Sequence, residues 1–333
     1  MRTRTLGKNG PAVSAIGLGG MSMSGAYGDA DRDESIATVH AALDAGVTLI
    51  DTADFYATGH NELLLAEALR GRPRESYRLS VKTGMVVGIG GLPAGQDGRP
   101  ETIKNSVVYS LTRLGTDYID IYRPARLDPA VPIEETVGAI KELVEAGYVR
   151  HVGLSEMNAE TIRRAHAVYP ITDLQIEYSL ISRAVEAEVL PTLRELGIGM
   201  TAYGVLSRGL ISGHWTAERS TKPGQGDHRA RSPRFTAENV EHNLALVEAL
   251  RQVAEVRGCT VAQLAIAWVT AQDPSIVPVI GARTRVRLAE ALPAADLELT
   301  ADDLAAIETA IPVGSARGDR YPSAFMKDLG VGN

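Results

Sequence analysis

Cysteine, long apolar runs and an excess of positive charge are missing from this sequence. Cys259 is the only cysteine among 333 residues, which excludes an intramolecular disulfide and any site built from several cysteine ligands. No run of about 18 apolar residues occurs and residues 1–5 do not open a signal peptide, so we expect neither a membrane span nor export. The 41 acidic residues outnumber the 34 basic ones, which disfavours nucleic acid and anionic membranes as partners. These absences predict a cytoplasmic globular protein.

The chain also lacks a metal-binding motif and an internal boundary. It contains no His-Glu-x-x-His segment or other close cluster of ligands, so no metal site is expected. An average of roughly 150 residues per domain would give two domains, but single α/β barrels reach this length. Neither a linker-like stretch nor an internal repeat divides the sequence. We therefore expect one domain over residues 1–333.

Short apolar segments alternate with amphipathic ones along most of the chain. The predicted strands are 14–20, 47–51, 78–83, 118–123, 149–154, 173–177, 198–203 and 275–280. A helix over 133–146 follows from apolar residues at 3.6-residue spacing, and Thr260 and Gln263 have the spacing of a capping box that opens a helix through Trp268. Eight strands alternating with helices predict a (β/α)₈ TIM barrel. An open doubly wound sheet fits the same alternation and remains the alternative.

Four segments do not follow this alternation. Residues 1–11 are predicted to form an N-terminal β-hairpin with its turn at 8–10. Residues 84–100 form a glycine-rich loop and 204–240 a long polar loop, both on the C-terminal face if the barrel is correct. The polar tail 312–333 carries apolar side chains that we expect to fold back on the barrel, namely Tyr321, Phe325 and Met326.

The predicted strand ends bring together an acid, a lysine and a tyrosine. Active sites of parallel barrels lie at the C-terminal ends of the strands. Asp51 and Lys82 stand at two consecutive strand ends, and Tyr56 follows in the loop after Asp51. Taken singly, Asp51 is equally well a turn cap, whereas a lysine such as Lys82 is more often a solvated strand end and a tyrosine such as Tyr56 more often a packed aromatic residue. Together they predict acid–base chemistry, in which a buried Lys–Asp pair would lower the pKa of the phenol.

With Asp51, Tyr56 and Lys82 in this arrangement, the sequence resembles the aldo-keto reductases. The resemblance covers nearly the whole chain, and its motifs are Gly17-Leu-Gly-Gly-Met21, Asp51-Thr-Ala-Asp-Phe-Tyr56, Val131-Pro-Ile-Glu-Glu-Thr-Val-Gly-Ala139, Gly153-Leu-Ser155, Gln175-Ile-Glu-Tyr178, Ala202-Tyr203 and Arg317-Gly-Asp-Arg-Tyr-Pro322. This resemblance implies a (β/α)₈ barrel that reduces carbonyl groups of small molecules with NADPH. The alternative is an NADPH-binding redox sensor or partner-binding module with little turnover.

The resemblance also implies a role for each matching residue. Tyr56 matches the proton donor, with Lys82 and Asp51 tuning its acidity. The implied cofactor contacts are Gly20, Met21 and Asp51 near the first strands, Ser155 and Gln175 at the carboxamide, Tyr203 stacked on the nicotinamide, Leu206 and Ser207 over the pyrophosphate, Gly281, Arg283 and Arg287 at the 2′-phosphate, and Glu290 at the adenine. Two positions depart from the family: Glu156 replaces the usual Asn after Ser155, and Ala291 the usual Asn after Glu290.

A third departure affects the substrate side. Most members carry a His in a run ending His-Arg-x-Asp-Pro, whereas this chain reads Arg123-Pro-Ala-Arg-Leu-Asp-Pro129, with Ala125 at the His position. Loss of one such hydrogen-bond donor lowers rates by about 10²–10³-fold in comparable sites. Three interpretations stay open: a reductase with a wider site and a substitute donor, a slow sensor, or an engineered substitution at Ala125.

The arginines on either side of Ala125 are the candidate substitutes. Arg123 and Arg126 are assigned to the substrate pocket together with Ala125, and would favour substrates that carry a carboxylate or phosphate. For Arg123 a buried structural arginine that bridges carboxylates such as Glu177 is equally consistent. Tyr27 and Trp215 lie in loops near the predicted mouth, where surface packing competes with pocket lining as their role.

Overall fold

The computed structural model describes residues 1–221, 226–327 and 329–332. Within these ranges the strands are β1 (Thr3–Thr5), β2 (Ala12–Ser14), β3 (Gly17–Gly19), β4 (Leu49–Ala53), β5 (Arg78–Thr83), β6 (Met85–Val87), β7 (Pro93–Gln96), β8 (Ile119–Pro124), β9 (Val149–Ser155), β10 (Ile171–Glu177), β11 (Gly199–Tyr203) and β12 (Ile276–Ile280). The helices are α1 (Arg32–Asp44), α2 (His60–Leu69), α3 (Pro100–Leu114), α4 (Ile133–Glu145), α5 (Ala159–Val168), α6 (Val189–Leu196), α7 (Ala217–Thr221), α8 (Ala237–Arg257), α9 (Val261–Gln272), α10 (Arg285–Ala291), α11 (Ala301–Ala310) and α12 (Ser323–Met326).

The parallel strands close into a barrel. In the described residues its order is β3, β4, β5, β8, β9, β10, β11 and β12, and β12 pairs back onto β3. This closure confirms the predicted (β/α)₈ barrel and excludes the open doubly wound sheet. Every residue of β4, β8, β10 and β12 is buried, since helices cover the outer face and side chains fill the interior.

Local sequence accounts for the helix boundaries. Helix α4 follows Pro132 and buries one face through Val137 and Ile140, as its spacing predicts. The capping box of α9 is present, because the Thr260 side chain accepts from the Gln263 backbone and the Gln263 side chain accepts from the Thr260 backbone. None of the described helices combines the length and apolar character needed to cross a membrane.

The four irregular segments are more ordered than the sequence predicts. The N-terminal hairpin forms, but its second strand is β2 rather than part of 1–11, so the first barrel strand begins at Gly17 and not at residue 14. The predicted loop 84–100 contains the hairpin β6–β7. The predicted loop 204–240 contains 3₁₀ turns, α7 and the start of α8, and its residues 222–225 lie outside the described ranges. In the tail, Tyr321 contacts the barrel as predicted, whereas Phe325 is exposed.

Candidate active site

Asp51 accepts three side-chain hydrogen bonds at the barrel mouth. Its Oδ1 accepts from Lys82 Nζ at 2.6 Å, and its Oδ2 accepts from Ser80 Oγ and from Gln175 Nε2, both at 2.7 Å. Lys82 also donates to the Thr52 carbonyl at 3.0 Å, and both members of the pair are about 4% exposed. Asp51 is therefore not a turn cap, and Lys82 is not a solvated strand end. The amide nitrogen of Gln175, assigned to the cofactor carboxamide, is bound to Asp51.

A tight turn after β4 positions Tyr56. Ala57 and Thr58 have φ values of 46° and 54°, left-handed conformations that non-glycine residues rarely adopt. Gly59 follows at φ 89°, where an added Cβ would lie 2.9 Å from the Arg113 side chain. Strain of this kind persists only where the surrounding structure imposes it, and it clusters at functional sites. The turn holds the Tyr56 ring edge-on to Phe55, at the mouth of the barrel.

Lys82 approaches the face of the Tyr56 ring rather than its hydroxyl. Lys82 Nζ lies 4.9 Å from the ring centroid, a cation–π distance. Across the described residues the Tyr56 hydroxyl has no hydrogen-bonding partner, and Nζ donates instead to Asp51 and Thr52. Burial, reinforced by the negative charge of Asp51, raises the pKa of Tyr56 well above its ordinary value. The expectation that the Lys–Asp pair lowers this pKa is therefore wrong, because burial and the Asp51 carboxylate raise it and the opposing charge of Arg126 is too weak to reverse them.

Gly20, the residue after β3, packs against the end of β4 that carries Asp51. Gly20 N donates to the Asp51 carbonyl at 2.8 Å, and Asn61 Nδ2 donates to the Gly20 carbonyl at 2.8 Å. A Cβ at Gly20 would lie 2.4 Å from Asn61 Oδ1, so a larger residue here would displace the buried Asn61 side chain. The adjacent Met21 is half-buried at this edge of the mouth.

Arg123 lies in the barrel interior, below Asp51. It donates to Asp173 Oδ2 and to Thr201 Oγ1, both at 3.0 Å, and to Ser80 Oγ at 2.9 Å. Its side chain and that of Asp173 have no exposed surface. The assignment of Arg123 to the substrate pocket is corrected: it is the buried structural arginine of the alternative interpretation, and its partner is Asp173 rather than Glu177. An interior carboxylate on β10 attracts the guanidinium inward.

Arg126 takes the opposite direction. It lies two residues beyond the end of β8, where the buried Ala125 donates its N–H to the Thr83 carbonyl at 2.7 Å. Arg126 Nη1 donates to the Ala125 carbonyl at 2.6 Å and more weakly to Ser155 Oγ at 3.5 Å. The residue as a whole is half-buried at the mouth, and burial opposes the charge of its guanidinium.

Glu156 connects the tail to the site. Its carboxylate accepts from Arg320 Nη2, the Tyr203 hydroxyl and the Glu177 backbone N–H, at 2.7, 2.7 and 3.0 Å. The Tyr203 hydroxyl also lies 3.0 Å from that of Tyr321. The Glu at the usual Asn position thus fixes the tail and the edge of Tyr203. The sequence motif 317–322 includes Arg320, but nothing in it indicates a partner 164 positions away.

The loop after β11 has a constrained backbone. Ser207 and Arg208 adopt φ values of 45° and 56°, directly after Leu206, at the position assigned to the pyrophosphate. Arg208 holds this turn by donating to the Arg320 carbonyl at 2.7 Å and to Glu177 at 3.3 Å. Burial opposes ionisation of Glu177, but the charges of Arg208 and other nearby arginines lower its pKa below the ordinary value.

Arginines gather where the 2′-phosphate was predicted. Gly281 follows the last residue of β12 and leads into this region. Arg287 Nη1 lies 2.9 Å from a Glu290 carboxylate oxygen. Arg283 donates hydrogen bonds to the backbone carbonyls of residues 27–29. Arg219 on α7 joins them and is a residue the sequence did not indicate, since a polar loop offers no periodicity. Burial, followed by the charges of neighbouring arginines that include Arg283 and Arg287, lowers the pKa of Arg219. Such a cluster favours an anion.

Tyr27 and Trp215 frame the same region. Trp215 is 7% exposed, packs edge-on against Phe235 and lies between the guanidiniums of Arg219 and Arg229. Its assignment to the open pocket is corrected, because packing covers it. Tyr27 is half-buried, with the Arg229 guanidinium 5.2 Å from its ring centroid, and burial raises the pKa of its hydroxyl.

Known proteins resemble this chain over almost its full length. Residues 15–312 match the family model described as Aldo/keto reductase family. Probable aldo-keto reductase 1 of Glycine max is 41% identical over 318 residues, which cover 95% of this chain and 90% of that protein. The glycerol dehydrogenase of Gluconobacter oxydans superimposes with a TM-score of 0.83 at 29% identity, over 92% of this chain and 94% of that one. An aldo-keto reductase of Bacillus halodurans in its holo form superimposes with a TM-score of 0.78 at 26% sequence identity, over 94% of this chain and 97% of that one.

Proposed function

Because the chain belongs to the aldo/keto reductase family, we propose that it reduces aldehydes or ketones with NADPH and that Tyr56 protonates the carbonyl oxygen. The family implies carbonyl reduction with a nicotinamide cofactor. The observation that carries the assignment of Tyr56 is its ring at the barrel mouth, facing an ammonium that Asp51 holds. The substrate is a small carbonyl compound, and the cytoplasmic location stays a prediction.

The residues at the mouth support proton donation in the reductive direction. With its pKa raised by burial, Tyr56 is a neutral phenol at physiological pH, the form that carries the proton to be donated. As that proton leaves, negative charge develops on the phenol oxygen. The Lys82 ammonium beside the ring offsets this charge, and Asp51 keeps the amine oriented. Bound NADPH supplies the hydride that reduces the carbonyl carbon.

The arrangement of charges fits NADPH better than NADH. Arg219, Arg283 and Arg287 would hold the 2′-phosphate, and Glu290 is the carboxylate in ion-pair contact with this group of described residues. Guanidinium binds phosphate through paired hydrogen bonds. The constrained turn at Leu206 and Ser207 would cover the pyrophosphate, and Ser155 and Tyr203 would contact the nicotinamide end.

Removal of Arg287 tests the preference for NADPH. We expect Arg287→Ala to raise the Kd for NADPH about tenfold to a hundredfold and to leave the Kd for NADH nearly unchanged, because NADH lacks the 2′-phosphate. Fluorescence titration measures both constants. Arg285→Ala is the matched control on the same helix, since Arg285 is exposed and paired with Glu34. Equal weakening of the two cofactors would contradict the assignment.

Single-turnover kinetics separate a reductase from a sensor. We expect the protein, premixed with NADPH, to oxidise the cofactor when it meets aldehydes, ketones or quinones in a stopped-flow instrument. The sensor function is favoured by Ala125, because its methyl group cannot donate the hydrogen bond that the histidine of most family members supplies at this position. Tight NADPH binding without oxidation by any carbonyl in the panel would refute the reductase and support the sensor. Ala125→His then reports whether the rest of the pocket is competent, by a gain in aldehyde reduction.

A further inference from the structure

Arg126 is a cation at the active-site mouth that makes no ion pair with any carboxylate of the described residues, although the charge of Glu156 acts on it from beyond ion-pair distance. In the described ranges no carboxylate lies within ion-pair distance of its guanidinium, and its hydrogen bonds are those of Nη1 to the Ala125 carbonyl and to Ser155 Oγ. Nε and Nη2 have no protein partner in the same ranges. Buried arginines elsewhere in this barrel are all matched, as Arg123 is by Asp173 and Arg320 by Glu156. An arginine left unmatched in a half-buried position retains its capacity to bind an anion.

The balance of charged residues around the mouth also favours the binding of an anion. The guanidiniums of this cluster are Arg126, Arg208, Arg234 and Arg320, and the carboxylates in ion-pair contact with them, within the residues described, are Glu156 and Glu177; the charge of Asp319 also acts on Arg234, which leaves four guanidiniums against three carboxylates. Glu177 pairs with Arg208 and Arg234, so both carboxylates are already engaged. The Asp51–Lys82 pair adds no net charge. The mouth therefore carries an excess of positive charge, although the chain as a whole is acidic.

The position of Arg126 relates this charge to the reacting group. Arg126 follows the C-terminal end of β8, beside the residue that replaces the usual histidine, and it reaches Ser155 at the end of β9. Its charge acts on both Tyr56 and Tyr203, where it partly offsets the effect of burial on the two phenols. Ala125 itself is fully buried and carries no polar side-chain atom, so Arg126 is the charged group on this segment.

We propose that Arg126 determines substrate specificity by binding a carboxylate or phosphate group carried by the carbonyl substrate. This inference rests on the proposed reductase function and specifies its substrate class: carbonyl compounds with an anionic group. The fork of Nε and Nη2 matches two oxygens of either anion. Lysine would supply the charge without that fork, so the geometry of guanidinium is part of the proposal.

Matched pairs of aldehydes test the proposal. The first pair is 4-carboxybenzaldehyde and methyl 4-formylbenzoate, and the second is glyceraldehyde 3-phosphate and glyceraldehyde. We expect kcat/KM to favour the anionic member of at least one pair about tenfold to a hundredfold, the effect of a hydrogen-bonded charge pair. The pair that shows the preference identifies the anion as carboxylate or phosphate.

Variants of Arg126 separate anion binding from other roles. Arg126→Leu is expected to abolish the preference by lowering kcat/KM for the anionic member alone, whereas Arg126→Lys keeps part of it. Arg99→Leu is the control, because Arg99 is exposed at the same end of the barrel and paired with Asp97. A binding readout without turnover is the Kd of benzoate, which Arg126→Leu should raise about tenfold to a hundredfold, as it does the preference in kcat/KM.

Each outcome bears on a different claim. If the wild-type protein reduces neither member of either pair nor any carbonyl of the stopped-flow panel, the reductase function fails; if it reduces other carbonyls of that panel but neither member of either pair, only the role of Arg126 in specificity is refuted. If it reduces both members equally well, the reductase stands and the role of Arg126 in specificity is refuted. If Arg126→Leu lowers both members equally, or raises the Kd for NADPH while the preference persists, Arg126 serves the carbonyl or the cofactor rather than an anionic group.

Discussion

Tyr56→Phe is expected to lower the rate of carbonyl reduction by roughly 10²–10⁴-fold and to leave the Kd for NADPH nearly unchanged. The phenyl ring keeps the packing of Phe55 against position 56 and the contact with Lys82, and only the proton donor is lost. Single-turnover oxidation of NADPH gives the rate, and fluorescence titration gives the Kd. Tyr321→Phe is the control, since it removes a hydroxyl that bonds Tyr203 rather than Lys82 or Asp51.

The pH profile gives a second readout for Tyr56. Because its pKa is raised well above the ordinary value, the phenol stays protonated and we expect reduction to persist up to about pH 9. A phenol with a lowered pKa would instead lose activity as pH rises through neutrality. Burial raises the pKa of nearby Asp54 to about 7, so any inflection there should disappear in Asp54→Asn.

Two results would contradict the role of Tyr56. Equal loss of reduction and of NADPH affinity would make Tyr56 a binding residue. Reduction that survives in Tyr56→Phe would assign the proton to another group at the mouth, such as the half-buried Tyr27. Both outcomes would leave the family and the barrel untouched, since neither depends on this hydroxyl.

Arg123→Leu is expected to lower the free energy of unfolding by about 3–5 kcal/mol, the typical effect of breaking a buried ion pair from one side. The substitution leaves Asp173 charged in the barrel interior, with Thr201 as its remaining donor. Urea denaturation monitored by circular dichroism gives the free energy. Arg163→Leu is the matched control, because its partner Glu195 is exposed, and such pairs contribute at most about 1 kcal/mol.

A double variant distinguishes this structural role from substrate binding. In Arg123→Leu/Asp173→Leu both charges are absent, so we expect much of the lost stability to return. If Arg123 contacted substrate, the double variant would recover stability but lose selectivity between charged and neutral aldehydes. Unchanged stability in Arg123→Leu would contradict the interior pairing itself.

Local sequence patterns predicted some of the elements and site residues and missed others. The strand candidates and the capping box at Thr260 depend on local periodicity and spacing, and each is found in the structure. The hairpin strand β2 was missed because Ala12–Ser14 continues directly toward β3, and only pairing with β1 separates the two. Asp51 and Lys82 were found because consecutive parallel strands bring their carboxyl ends to one edge.

The sequence by itself determined the alternation that closes a barrel, the family and the set of polar residues at the strand ends. Only the tertiary structure decided what those residues contact. Gln175 meets Asp51 across 124 positions and Arg320 meets Glu156 across 164, distances at which no local pattern operates. The opposite directions of Arg123 and Arg126 likewise depend on Asp173 inside the closed barrel, which pairs with Arg123, whereas no carboxylate among the residues described lies within ion-pair distance of Arg126. Partners and pKa values arise from closure, because burial and neighbouring charge exist only once distant strands have come together.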